Sequence, residues 1–552
     1  MIEKHWNNKI ITSLLFMAIS VFVIIELFLN LTPPISRDAL IHHLAIPKLW
    51  LTHGGYYEIP WARFSYYPMN IDLLYLMPLY FKNDIIPKFI HFAFGFGTGM
   101  LVYQYLGKRF GRNWGLLGFL IFFSTPVVVR LSTTAYVDLG MVFFSTASIL
   151  AWIKWQDEDY KYMKWFILSA VCMGLAAGSK YNALLAWFFL NLMVVFYYSR
   201  DTKKGFPAVM FGVAFFIFTF LVVSPWFIKN YIQTGNPLYP LLNNLVGFLH
   251  DTGKAGGAVA ATADSNWASS IFQRREIMFG DSFWETLFIP LRIFSQGKDS
   301  SPQYFDGVLN PILIIMIPFA FLKKDYYRDR LFFLFFSVFF LLMACFLTII
   351  RIRYILPIIP FLTILSVMGI RNLVKWADSL SKPFDHIGII IISSITVSLL
   401  VFNFLYLKDY FSTINPERYV FHQETRDEFL TRTIGSYPAV KYINENLPDD
   451  SRIFFMFLGR RGYYLDRPYY YDSSFGMKTI NNMVKASKDR HDFQKYLQSL
   501  ECTHILLRIG LFNKYLYDNF SQETIARFMG LRKEYWRPLY VSNGHAVMKV
   551  KK

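Results

Sequence analysis

The sequence predicts a polytopic α-helical membrane protein with a small α/β domain at its C-terminal end. Three observations carry that prediction. Of 552 residues, 54% are hydrophobic and only 17% charged, with a mean hydropathy of +0.32, outside the usual range of soluble domains. Apolar runs of about twenty residues, enough to span a bilayer core, recur between residues 10 and 407. After about residue 408 the runs shrink to strand length, "RIFFMFL", "HILLRI" and "HAVMKV", and alternate with helix-like stretches such as "HDFQKYLQSLE".

The first run, "IITSLLFMAISVFVIIELFLNLT", follows Lys4 and Lys9 as a signal peptide would. It is too long for one and no small-x-small cleavage site follows, so it reads as a retained first span. Counting about twenty apolar residues per span predicts roughly eleven helices, near 10–32, 85–107, 114–131, 137–155, 163–179, 181–198, 206–228, 307–322, 331–350, 353–370 and 386–407. "MNIDLLYLMPLYF", residues 69–81, is too short to cross and carries Asp72; it is predicted to lie flat on the membrane surface as an amphipathic segment.

With the N-terminus cytoplasmic, the inside loops become "GKRFGRN", "KWQDEDYKYMK", "YYSRDTKKG", "FLKKDYYRDR" and "RNLVKWADSLSKP", all short and basic. That bias selects this orientation. It puts residues 33–84, residues 229–306 and everything after about 408 on the outer side. The Gly/Ala/Ser-rich "DTGKAGGAVAATADSNWASS" within 229–306 is expected to be mobile. The division that follows is a membrane domain over 1–408 and an exported α/β domain over 409–552, anchored by the last span.

The net charge of +18 does not point to nucleic acid, because the basic residues sit in short loops between apolar runs rather than in one aromatic-laced patch. Three cysteines, Cys172, Cys345 and Cys502, provide neither a disulfide framework nor a zinc-type spacing. No glycine loop of the nucleotide-binding type occurs. "FGFGTGM" lies inside an apolar span, where it lets helices approach closely.

The residues fit for chemistry gather at the outer rim. Ser36 through Thr52 should form a short helix after Pro33-Pro34, stopped by Gly54-Gly55, with Asp38 and His42 four residues apart on one face. An acid in a first helical turn is stabilised by the helix dipole by about 0.3–1 kcal/mol, so position alone does not make Asp38 functional. Asp138, in "LSTTAYVDLGMVFF", falls at the outer end of the fourth span, where a carboxylate bordering hydrocarbon needs a partner. Two acids at one depth suggest a shared site. Lys180 in "GLAAGSKYNAL" and Arg351 and Arg353 in "TIIRIRYILPIIP" are cations at the same side, against the positive-inside bias. Acids and cations together suit an anionic ligand with a reacting hydroxyl. His42 and His43 are candidates to hold a divalent ion with Asp38, although neighbouring helical residues diverge and a structural or solvent-facing role suits both. Glu26, inside the first span, is expected to pair within the bundle.

These pieces resemble a known family. An outer-loop acid in "DALIHHLAIPKLWLTHGG", then "SYYPMN", "YVD" at an outer helix end, "GLAAGSKYNAL", "NYIQTGNPLYP" and "RIRYILPIIP" together are similar to the C-type (GT-C) superfamily of membrane glycosyltransferases. The nearest pattern is the bacterial branch of protein O-mannosyltransferases and aminoarabinose lipid A transferases. The resemblance spans most of residues 1–408. It implies a polyprenyl-phosphate sugar donor, transfer with inversion, and a lipid, glycan or protein acceptor, in the inner membrane of a bacterium. Asp38 is similar in position to the family's catalytic acid, acting as general base on the acceptor hydroxyl. Asp138 resembles a second acidic position, which in some members helps bind a divalent metal, with His42 a further candidate ligand. Many members have an acidic pair in the first loop; here Ala39 follows Asp38. Lys180, Arg351 and Arg353 would bind the donor phosphate. The exported domain, with its "RRGYYLDRPYYYD", would bind the acceptor or cap the outer loops.

The competing class is a transporter or lipid flippase using Glu26, Asp38 and Asp138 as a path. Transporters often carry internal repeats and broken midplane helices. No twofold repeat is visible here and two of the three acids lie at the rim, which favours the enzyme.

Overall fold

Asn8 starts the first membrane helix: its side chain accepts the N–H of Ile10 at 3.1 Å, supplying one of the partners a helix N-terminus lacks. The computed structural model describes residues 6, 8–241, 270–472, 474 and 476–551. Apart from Ser270, the stretch 251–270 for which the sequence predicts mobility lies outside the described residues. The main helices are α1 (Lys9–Asn30), α2 (Ala45–His53), α3 (Asn70–Tyr80), α4 (Ile86–Phe110), α5 (Arg112–Ser124), α6 (Pro126–Ser132), α7 (Asp138–Asp157), α8 (Met163–Ala177), α9 (Ala183–Thr202), α10 (Gly205–Thr234), α11 (Tyr327–Leu347), α12 (Ile359–Asp378) and α13 (Phe384–Ile414).

Ten of the eleven stretches read as spans correspond to these helices, but length and composition support fewer crossings. Six helices are long and apolar enough, seven if the bent pair α5 and α6 counts as one, among the described residues. The pair bends by 69° because Pro126 has no N–H to donate and forces Thr125 out of helical geometry (φ −58°, ψ 128°). With 15 residues, α8 reaches only about 22 Å against a hydrocarbon core of about 30 Å. The stretch 307–322 breaks into the short turns Ile312–Ile315 and Pro318–Phe321, each led by a proline. The chain is nonetheless a multi-pass membrane protein. α1, α10 and α13 expose rows of large apolar side chains, such as Ile387, Ile390, Ile391 and Ile395 on α13, as helices facing lipid do.

At the other extreme, every residue of α12 from Ile359 to Asn372 is buried. A helix apolar on all sides belongs inside. Two of its polar side chains bond the main chain of the preceding short turns: Ser366 donates to Ile312 O at 3.0 Å, and Asn372 to Phe319 O and Ala320 O, both at 3.0 Å. The glycines of "FGFGTGM" behave as expected, since a Cβ on Gly99 would lie 2.8 Å from the Phe119 ring of α5.

The chain divides into two compact units. The first comprises Met1–Leu31, Pro68–Ile71 and Ile86–Pro416; the second comprises Thr32–Tyr67, Asp72–Ile85 and Glu417–Lys552. The second contains a five-stranded sheet, β1 (Ile453–Met456), β2 (Tyr469–Tyr470), β3 (His504–Arg508), β4 (Trp536–Ser542) and β5 (His545–Val550), in the order β2-β1-β3-β5-β4. β2, β1 and β3 run parallel, and β5 and β4 close the sheet antiparallel. All three runs read as strands are strands, and "HDFQKYLQSLE" supplies one of the helices, Arg490–Ser499, between β1 and β3.

The segment 69–81 is helical as α3 but is not amphipathic in the expected sense. Asp72 and Tyr75 are buried, whereas the exposed side is hydrocarbon: Leu73, Leu74, Met77, Tyr80 and Phe81. The acid faces inward because His43 awaits it, Nδ1 lying 2.7 Å from Asp72 Oδ1.

Candidate active site

In the first unit the centre of the site is an ion pair. Asp138 occupies the first turn of α7 and is wholly buried; Lys180, in the turn between α8 and α9, donates to its Oδ1 at 2.6 Å. The other carboxylate oxygen, Oδ2, is buried with no hydrogen-bond partner among the described residues. A carboxylate so placed needs its cation.

Several sequence motifs converge to fix that lysine. The main chain of Gly178 accepts from the N–H of Asn70 at 2.9 Å. Tyr181 donates its hydroxyl proton to Tyr239 O at 2.9 Å and accepts from Asn230 at 3.0 Å. Asn182 donates to Tyr354 O at 3.4 Å. Asn230 and Tyr239 belong to "NYIQTGNPLYP" and Tyr354 to "RIRYILPIIP", so three separated stretches hold one short turn.

The two arginines of "RIRYILPIIP" part company. Arg353 lies over the rings of Tyr136 and Tyr354, 5.7 Å from each centroid, and its charge acts on Asp138. Lys180 shares the Tyr354 ring at 5.9 Å. Arg351 instead pairs with Asp306 at 3.3 Å, within a network in which Arg130 bonds Asp299 at 2.7 Å and Tyr406 donates to Asp299 at 2.5 Å. The separation follows from the backbone: Arg351 is extended and Ile352 begins a 3-10 turn, so side chains two positions apart leave in different directions. Arg351 thus lies in that ion-pair network, and the cations gathered near Asp138 are Lys180 and Arg353.

Glu26 is buried and accepts from the Ser132 hydroxyl, the pairing within the bundle expected for it.

The second unit carries Asp38. The predicted helix 36–52 is instead a π turn, Ala39–His43, followed by α2, which Gly54 stops at φ 85° as expected. Asp38 caps the π turn by position and is partly exposed. In an α-helix Leu44 N–H would bond Leu40 O; here it reaches back to Ala39 O at 2.9 Å. The freed Leu40 carbonyl accepts the N–H groups of Gly462 and Tyr463, at 3.1 and 3.2 Å. Lys48 donates to Tyr463 O (2.7 Å), Leu465 O (3.0 Å) and Asp466 (2.7 Å), and Tyr464 donates to Pro34 O at 2.7 Å. The "RRGYYLD" stretch thus clamps the acid-bearing turn, which is the capping role considered for it.

Both histidines are buried, which excludes the solvent-facing option. His42 stacks on Phe64 at 4.4 Å and His43 bonds Asp72. Among the described residues no three His, Cys, Asp or Glu side chains gather as a metal site. With His42 packed flat on a ring and Asp138 already bonded to a lysine, the side chains do not fit the divalent ion the resemblance allows.

Two features escaped the sequence reading. Burial lowers the affinity of the Arg460 guanidinium for its proton, Tyr471 and Asp472 oppose this, and the charges of Arg37 and Arg63 add to it; Arg460 lies over Tyr471 at 5.3 Å. His91, in the interior of α4, holds the corner that precedes Asp138. A lone histidine in an apolar run gives no local signal of such a contact.

Residues 61–236 match the family model described as dolichyl-phosphate-mannose-protein mannosyltransferase. No curated protein sequence matches the chain. Among solved structures it is similar to ArnT from Cupriavidus metallidurans bound to undecaprenyl phosphate, with a TM-score of 0.57 and 13% identity over 97% of this chain and 98% of that one. It is also similar to the oligosaccharyltransferase AglB from Archaeoglobus fulgidus in complex with an inhibitory peptide and a dolichol-phosphate, with a TM-score of 0.52 and 11% identity over 97% of this chain and 74% of that one. A complex of the Archaeoglobus fulgidus oligosaccharyltransferase with Zn and sulfate matches at a TM-score of 0.55 and 10% identity, over 97% and 73%. At these identities the likeness is one of fold. The family model covers residues 61–236, and the fold likeness runs over nearly the whole chain.

Proposed function

We propose that the chain is a C-type membrane glycosyltransferase that moves a sugar from a polyprenyl-phosphate donor to an acceptor hydroxyl at the outer face of a bacterial cytoplasmic membrane, with inversion. The orientation follows the basic inside loops, with the N-terminus cytoplasmic and the sheet-bearing residues after 408 exported. About eleven crossings remain the reading if the shorter and more polar helices also enter the bilayer. Neighbours of this fold bind undecaprenyl phosphate or dolichol-phosphate, which supports a lipid-phosphate donor.

The observation that carries the reading is the buried Asp138–Lys180 pair with Arg353 beside it. Two cations on one buried carboxylate leave an excess of positive charge, the requirement for holding a departing phosphate. Asp138 then serves to position Lys180 rather than to move a proton. Asp38, by the resemblance, is the general base: its carboxylate takes the proton of the acceptor hydroxyl as that oxygen bonds the anomeric carbon. The bond from that carbon to the phosphate oxygen breaks on the opposite face, and the lipid phosphate departs. The donor's isoprenoid tail stays in the lipid throughout.

A synthetic polyprenyl-phosphate sugar given to purified protein in detergent tests this. Release of the lipid phosphate is the expected result. A transporter would leave the donor intact, since detergent removes the compartments, and that outcome would discard the proposal.

A further inference from the structure

The corner between α6 and α7 is built around one side chain from a different helix. His91, wholly buried in α4, directs Nδ1 at two carbonyl oxygens, Leu131 O and Thr134 O, each at 2.9 Å. Its Nε2 lies 2.9 Å from the N–H of Leu139, the residue after Asp138. These partners fix the ring's state. Two acceptors face Nδ1, so that nitrogen carries the proton; a donor faces Nε2, so that one is bare. His91 is the neutral Nδ1–H tautomer.

The contact to Leu139 matters because of what α7 lacks. Its cap residue is Val137, which offers no side-chain acceptor, so the first N–H groups of the helix depend on outside partners. An alternative acceptor is the adjoining Asp138 carboxylate itself, since acidic side chains in a first turn bond neighbouring backbone N–H groups. By taking the Leu139 N–H, the imidazole leaves that carboxylate to Lys180, with its second oxygen still unpartnered among the described residues.

We infer that His91 is a positioning residue for the donor-phosphate cation: as a cap supplied by a neighbouring helix, it keeps the Asp138 carboxylate turned to Lys180 rather than to its own helix end. This rests on the reading of Lys180 as a ligand of the donor phosphate.

The test is binding of undecaprenyl phosphate to the full-length protein in detergent, which needs neither sugar nor acceptor. His91→Phe keeps a ring and removes all three hydrogen bonds. His91→Asn puts an amide at the Nδ1 position, able to reach the two carbonyls and too short for Leu139. His91→Gln offers a donor and an acceptor over a longer reach. Stranding buried polar groups beside the pair should raise Kd about tenfold in His91→Phe and His91→Asn, with His91→Gln restored to within about threefold of the parent. If His91→Phe does not accumulate as folded protein, His91→Asn against His91→Gln decides alone. Lys180→Ala is measured alongside. Weakened binding in Lys180→Ala with parental binding in His91→Asn would reduce His91 to packing and overturn the inference alone. Parental binding in Lys180→Ala would overturn the reading of the lysine, and this inference with it.

Discussion

Lys180 and Asp138 form an unequal pair: they meet at 2.6 Å, yet the carboxylate is fully buried while the lysine side chain keeps 18% of its surface exposed. Removing one partner is therefore not equivalent to removing the other. Lys180→Ala strands a charge with no route to water, for which a loss of about 3–5 kcal/mol is expected. Asp138→Asn leaves a lysine that can swing outward, and should cost about 1–3 kcal/mol. Thermal unfolding in detergent should rank the two in that order. Equal losses would mean that the lysine cannot reach solvent.

Asp38 lies partly exposed at the start of a π turn whose other residues are buried. Asp38→Asn keeps size and backbone and removes only the basic oxygen. Transfer should fall by about 10²–10⁴, the range of a positioned general base, with unchanged insertion and yield. Parental transfer by a normally inserted protein would take Asp38 out of the mechanism.

Gly462, whose N–H bonds Leu40 O, has no room for a side chain: a Cβ there would lie 2.1 Å from the Tyr469 ring. Gly462→Ala should cost about 1–3 kcal/mol by overpacking. It should also pull the Gly462 and Tyr463 N–H groups off Leu40 O, so faster deuterium uptake over residues 39–48 is the specific readout. Unchanged uptake there would show that the π turn stands without the clamp.

What the sequence made legible was what periodicity encodes. Ten of eleven apolar runs became helices, and three strand-length runs became β1, β3 and β5, because burial on one or all faces leaves its mark on neighbouring residues. The breaks were less visible. Pro126 lay inside a continuous apolar run, and the π turn at 39–43 depends on a partner more than 400 residues away, Gly462. The site was half legible for the same reason. Asp138 and Lys180 announced themselves as charges among hydrocarbon, but Arg351 and Arg353 looked alike until Asp306 claimed one of them. His43 and Asp72 had no local reason to be paired.

The sheet carries a pH dependence of its own. In the register of β3 with β5, His504 lies opposite Lys549, and His545 opposite Arg508. Burial pushes both imidazoles below their ordinary value of 6.5; Lys549 adds to this at His504, and Arg508 and Arg461 at His545, where a hydrogen bond to the Asn543 carbonyl works the other way. A lowered folded-state value means the unfolded chain binds protons that the folded sheet refuses. The stabilising contribution is thus complete above about pH 6.5 and is lost as pH falls through the depressed folded values. Asp427 is also held low, first by its bond to Lys441 and then by Tyr437, but it acts only below the ordinary carboxylate value of 3.8. Deuterium uptake over β3 and β5 should therefore rise as pH, after correction for intrinsic exchange, drops from about 7 to 5, and protonation across the strands sets like charges face to face. Replacing both histidines with glutamine should flatten that rise. A rise that persists in the double variant would assign the acid sensitivity to groups other than these two.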